Sequence, residues 1–109
     1  MLNPFQKMLE AQLGGMQEKL QQAMDELAAT VVEASVGGGV VTARTTGNAE
    51  LLEIVIDPTV VDPDQVELLQ DLVTAAVREV MVKAMTLKKE KIMQATPLGQ
   101  MGIEMPDLL

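Results

Sequence analysis

The chain has 109 residues, no cysteine and no histidine, and a net charge of −8 from eight Lys/Arg against sixteen Asp/Glu. The missing thiols and imidazoles exclude disulfides, thiolate nucleophiles, thiolate zinc sites and every catalytic scheme built on histidine. The acidic total excludes a protein whose whole surface attracts nucleic acid, so any such binding has to be local.

Nothing marks a second core, and a single domain over 1–109 is expected. Its core would be lean, because Phe5 is the one aromatic residue beside nine methionines. A chain of this size buries only about two-thirds of its unfolded surface, so self-association is expected. Met1 to Lys7 lacks a basic stretch followed by an apolar one, and no apolar run approaches the ~20 residues needed to cross a bilayer. The expected location is the cytoplasm, with no membrane partner.

In chain order, Asn3, Pro4 and Gln6 read as an N-cap, a proline at the first helical position and the glutamine of a capping box, which predicts a helix over 3–29. Leu13, Met16, Leu20, Met24, Leu27 and Val31 recur at spacings of 3 and 4 and lay one apolar stripe along it. Gly14 and Gly15 cost about 1 kcal/mol each inside a helix, so the first dozen residues are expected to fray or to form a separate turn.

From Thr30 the composition turns β-branched. Val31–Val36, Val40–Thr46 and Leu51–Ile56 predict three strands, a meander over 30–57. Gly37-Gly38-Gly39 and Gly47-Asn48-Ala49 join them as hairpin turns. Leu52, Ile54 and Ile56 form one apolar set on the third strand, yet Val31, Val40, Leu51 and Val55 place apolar residues among Glu and Thr on the opposite face. An antiparallel sheet normally wets one face, so the helices are expected to cover one side and a partner subunit the other.

Asp57-Pro58 ends the third strand, and Asp62-Pro63-Asp64-Gln65 repeats the cap pattern, predicting a second helix over 63–95 that stops before Pro97. It would be about 45–50 Å long, more than strands of ~20 Å can cover, so its distal half must project or pack on another chain. The segment 96–109 lacks clear periodicity and is expected to be a loosely held tail.

Few residues invite chemistry. Asp57, Asp62 and Asp64 lie close together, but they match no calcium-loop pattern and are explained as caps, so no metal is expected. The triple glycine sits between strands rather than before a helix and is no phosphate cradle. No catalytic residue, cofactor or small-molecule substrate is indicated. The one net-basic stretch is 78–94, with five Lys/Arg against two Asp/Glu. There Arg78, Lys83, Lys88, Lys89 and Lys91 are expected to spread over a broad helical face, suited to phosphate contacts more than to base readout. The same lysines also complement the helix dipole near its C-terminus. No aromatic interleaves them, which disfavours stacking on single strands and leaves duplex backbone as the target.

The pattern Met16-Gln17-Glu18-Lys19-Leu20-Gln21, then Gly37-Gly38-Gly39-Val40-Val41, then Glu53-Ile54-Val55-Ile56-Asp57-Pro58, then Glu67 to Ala76 resembles the YbaB/EbfC family of bacterial nucleoid-associated proteins. The tail Met101 to Pro106 also resembles that family's Met-Pro ending. The resemblance implies an α-β-β-β-α fold of the α+β class and a homodimer joined through its sheets, with helices projecting like the arms of tweezers. It implies binding to DNA that alters its conformation, with contacts from Lys7 and Lys19 on the first arm and from Arg78, Lys83, Lys88, Lys89 and Lys91 on the second. Where similar sequences often carry Asn, this chain has Arg78, able to strengthen phosphate contact or to pair with a neighbouring acid. The alternative class is an acidic, dimeric protein-binding adaptor or chaperone, for which methionine-rich stripes would form a pliable groove.

Overall fold

The first helix, α1, is started by its own side chains. In the computed structural model, which describes residues 3–96, Asn3 Oδ1 accepts the Gln6 amide at 2.7 Å and the Gln6 side chain accepts the Asn3 amide at 3.3 Å. Pro4 occupies the first turn and α1 spans Pro4–Ala29. Thr30 closes it, its amide bonding to Leu27 O and its hydroxyl donating to Glu26 O at 2.7 Å. Gly14 and Gly15 neither fray nor split α1, contrary to expectation, because helix propagation on both sides carries the weak steps.

Three strands follow as an antiparallel meander in the order β1-β2-β3: β1 Val31–Val36, β2 Val41–Thr46 and β3 Leu51–Ile56. The β1–β2 turn needs its glycines, since Gly37, Gly38 and Gly39 have φ of 62°, 76° and 96°, in the left-handed region that side chains avoid. Two short 3₁₀ turns, Pro58–Val60 and Pro63–Gln65, lead into the second helix, α2, at Val66–Ala95. Asp57 and Asp62 cap these turns, accepting the amides of Thr59 and Asp64 at 2.9 Å each. Residues 63–65 are therefore a separate 3₁₀ turn and not the first turn of α2. The segment 97–109, including Met101 to Pro106, lies outside the described residues.

The register sorts the sheet into two faces. Val32, Ala34 and Val36 on β1 pair with Thr45, Ala43 and Val41 on β2, and Ala43 and Val41 pair in turn with Ile54 and Ile56 on β3. This face packs against Ala76 and Val80 of α2, and the small alanines 34, 43 and 76 let helix and sheet approach closely. A bulge interrupts β2 and β3: Arg44 opposes Glu53 and Thr45 opposes Leu51, leaving Leu52 unmatched. Leu51 therefore lies on the Thr45 side, not the open face expected for it, and Leu52 is exposed rather than continuing the Ile54–Ile56 row. Val40 also departs from its expected place, packing at the rim of the core.

α2 outruns the sheet. Its Leu69–Met81 portion packs on the sheet, whereas beyond Ala84 it meets α1 running antiparallel, with Glu26 beside Lys91. The junction is fixed at Gly47, whose amide donates to Leu27 O at 2.9 Å and Thr30 O at 3.0 Å. A Cβ at Gly47 would lie 2.8 Å from Leu27 O and 3.1 Å from Leu27 Cα. The result is a rod 74 Å long and about 20 Å across, with principal extents of 74 × 23 × 18 Å.

The glycines give contrasting expectations. Gly47→Ala should destabilise the fold by about 1–3 kcal/mol, because the methyl group meets backbone that cannot yield. Gly14→Ala and Gly15→Ala meet nothing within 4 Å and should stabilise by up to about 1 kcal/mol each. Urea denaturation of the three variants checks the opposite signs. A second expectation concerns acid. The amide and hydroxyl of Thr59 hold the Asp57 carboxyl below its usual 3.8. The depressed value means Asp57 stabilises the folded state above that pH, and the contribution fades as pH falls through the folded value. Asp57→Asn should therefore flatten the acid limb of the stability curve and leave the shape near neutrality unchanged.

Candidate nucleic-acid interface

Charge is divided along the rod. At one end the β1–β2 turn, the Asp57 amide bonded to Val40 O, and the two 3₁₀ turns gather Asp57, Asp62 and Asp64. At the other end the β2–β3 turn meets α1, and α1 and α2 leave together as an arm. Residues 30–64 carry one basic and six acidic side chains, whereas 78–94 on α2 carry five basic and two acidic ones.

The basic residues of α2 do not act alike. Eleven residues at about 100° per residue bring Arg78 and Lys89 within about 20° of each other, three turns apart on the side away from Ala76, Val80 and Ala84. These two form a line, whereas the five cations together spread broadly around the helix. Lys83 and Lys88 flank this line on opposite sides by the same periodicity. Lys83 is tethered, its Nζ donating to Glu33 O at 3.1 Å on β1. Lys91 turns toward α1, where its Nζ lies 2.8 Å from Glu26 Oε2. Both Lys91 and Glu26 keep substantial solvent contact, so this pair adds at most about 1 kcal/mol. Arg78 is exposed, and among the described residues its side chain makes no ion pair or hydrogen bond.

Lys19 joins the arm. It lines a groove of about 250 Å³ with Gln22, Ala23 and Glu26 of α1 and Lys91, Gln94 and Ala95 of α2. Lys19 and Lys91 thus share one polar groove between the helices, a juxtaposition that spacing along the chain does not reveal. Lys7 stands apart, exposed on the part of α1 that extends past the end of α2.

The open face of the sheet carries a cross-strand ladder that residue types alone did not single out. Arg44 on β2 reaches Glu33 on β1, Nε to Oε2 at 2.8 Å, and Glu53 on β3 through Nη1. The two carboxylates hold the guanidinium pKa above its usual value through hydrogen bonds, Glu33 first. Ser35 and Thr42 hydroxyls bond at 2.7 Å on the same face. Val31 and Val55 flank this ladder and are 60% and 47% exposed. Of the four valines and leucines expected on a partner-covered face, these two remain there. The in-phase register of Glu33, Arg44 and Glu53 is the signal for this ladder, and it follows from the pairing of the hairpins.

Among the described residues, no group of three or more acidic side chains is placed to hold a metal, and no helix is long and apolar enough to cross a membrane.

A sequence model described as the YbaB/EbfC DNA-binding family matches residues 3–101. A nucleoid-associated protein of Streptomyces avermitilis is 45% identical over 97 residues, covering 89% of this chain and 83% of that protein. One from Chloroflexus aurantiacus is 44% identical over 81 residues, covering 74% of this chain and 81% of the relative. The crystal structure of an uncharacterized Helicobacter pylori protein aligns with a TM-score of 0.69 at 22% identity, covering 83% of this chain and 92% of that one, a likeness of fold.

Proposed function

The chain belongs to the YbaB/EbfC DNA-binding family, and from that premise we propose that it acts as a homodimer whose helical arms hold duplex DNA by its phosphates. Its setting is the nucleoid, where its relatives take their name. The observation that carries the reading is the placement of charge: Asp57, Asp62 and Asp64 gathered at one end of the rod, Arg78 and Lys89 aligned on the outward side of the arm, and Lys19 and Lys91 in the groove between helices beside Glu26. Such a surface offers separated cations suited to phosphate contacts more than to base readout. Little sequence preference and steep salt sensitivity follow. Holding DNA between two arms would alter its conformation, with consequences for nucleoid organisation and gene expression. The role is non-catalytic.

In this reading the dimer forms through the open sheet face, where Val31 and Val55 surround the Glu33–Arg44–Glu53 ladder. A partner would exclude water from that ladder and strengthen its ion pairs, provided that each charge stays paired. The two arms would then project from a common centre.

Two measurements test these statements separately. Converting Lys88, Lys89 and Lys91 to Glu should abolish retention of duplex DNA in a mobility shift at ~50 mM salt, and Arg78→Ala should reduce the slope of log K against log salt by about 0.9. If the wild type retains no DNA under those conditions and the triple variant behaves identically, the adaptor reading replaces this one. For the dimer, sedimentation of the wild type should give twice the chain mass. Arg44→Glu, which sets three carboxylates on one face, should shift it to single chains.

A further inference from the structure

The side of α2 turned away from the core carries an apolar stripe of its own. Leu68, Val82 and Met85 are 50%, 59% and 40% exposed, and Asp71, Ala75 and Arg78 are exposed between them. Their spacing is regular: Leu68, Ala75 and Val82 recur every seven residues, as do Asp71, Arg78 and Met85. At about 100° per residue the six fall within a stripe about 100° wide, opposite the inward side of Ala76, Val80 and Ala84. A seven-residue repeat of this kind is a seam along which two helices pair. The sheet meets Ala76 and Val80, and α1 is met by Lys91 on the same inward side, so among the described residues the seam has no cover. Charge decides what fits it. Its first half carries Glu67 and Asp71, and its second half carries Arg78 and Lys88. Among the described residues none of these four makes an ion pair. A second copy of the seam turned end for end brings Arg78 and Lys88 beside Asp71 and Glu67, twice over by symmetry. A copy laid parallel sets like charges together.

We propose that α2 pairs with α2 of a second copy, antiparallel across this seam, about a two-fold axis near Ala75. Leu68 of each copy then lies near Val82 of the other, and the small Ala75 side chains let the two helices approach at the centre. The sheet and α1 of both copies stay behind the seam and do not obstruct it. From Glu67 to Lys88 the paired length is about 32 Å, and one helix face over that length buries on the order of 1,000 Å² in total. That lies below the ~1,200 Å² of a standard stable interface, so the contact is weak and forms only at high concentration. It uses a face other than the sheet surface around Arg44, and so it can join sheet-paired dimers to one another. It also engages Arg78 and Lys88, so self-pairing and phosphate contact exclude each other at these two side chains.

The chain has no cysteine, which permits mapping on the full-length protein in the absence of DNA, so failure here leaves the DNA reading standing. Isotope-labelled Leu68→Cys is mixed with unlabelled Val82→Cys at ~100 μM in a glutathione redox buffer, and disulfides are read by intact mass. The mixed disulfide should exceed either self-disulfide by about tenfold, because antiparallel order holds Leu68 about 20 Å from its own counterpart, and Val82 likewise. Predominance of the self-disulfides would mean parallel order, and equal yields would mean random collision; either overturns the proposal. Charge reversal gives an independent reading on the same cysteine pair. Asp71→Arg alone, or Arg78→Asp alone, should lower the mixed yield about tenfold, and the two together should restore it, because the acidic and basic positions are then exchanged in both copies. A double variant with wild-type circular dichroism and no recovery would overturn the pairing.

Discussion

The arrangement depends on the contact between Gly47 and the end of α1. A helix leaves its last carbonyls without intrahelical donors. Here the Leu27 carbonyl is met by the Gly47 amide, which also reaches Thr30 O, so the end of α1 is satisfied by a β-turn rather than by water. The contact is close enough to exclude any Cβ at position 47. It follows that α1 cannot lie across the sheet. It must leave along the axis of α2, with Leu27 buried at the junction and Ala23 beneath the facing helix. A lean chain thereby makes one long helix serve two purposes: the first half of α2 closes the sheet core and the second half supports α1.

This division explains which parts of the fold were legible in the sequence. Local chemistry was readable because its partners lie within a few residues: Asn3 with Gln6, Asp57 with Thr59, Asp62 with Asp64, and three glycines at positive φ. The strand order followed from short turns. What the sequence concealed was set between elements. The bulge at Arg44 and Thr45 changes the parity of β3 at Leu52, so Leu51 moves to the other face, and no alternation count along β3 reveals that. Val40 has the parity of the open face, yet it follows the Gly37–Gly39 turn and packs at the core rim. Propensity alone disfavours Gly14 and Gly15, but a helix with well-formed turns on both sides tolerates them.

For the interface, residue types were informative and roles were not. The net-basic stretch 78–94 was visible as composition. Which cations are engaged depends on partners fifty and sixty-five residues away: Lys83 with Glu33 O, and Lys91 with Glu26. These contacts separate lysines that build the arm from cations such as Arg78 that remain available to a phosphate. Arg44, the residue that organises the open face, is not legible in the sequence, because a single arginine among threonines reads as ordinary surface until both neighbouring strands are placed in register.

The acidic total, which at first sight opposes DNA binding, becomes tractable once lengths are compared. From Val66 to Lys91 along α2 is about 37 Å. At physiological ionic strength, charge is screened over about 8 Å, so the acidic turns are more than four screening lengths from the distal lysines. In the proposed reading, a phosphate at the arm would respond to the arm's own charges and hardly to Asp57, Asp62 or Asp64. Net charge governs the distant approach of the molecule, whereas the local field governs the contact. The elongated shape is what keeps the two apart. A sphere of the same composition would bring Asp57, Asp62 and Asp64 within reach of every lysine, but a 74 Å rod holds these three away from the distal ones. The continuous hydrogen bonding of α2, unbroken over thirty residues, is accordingly an electrostatic device as much as a structural one.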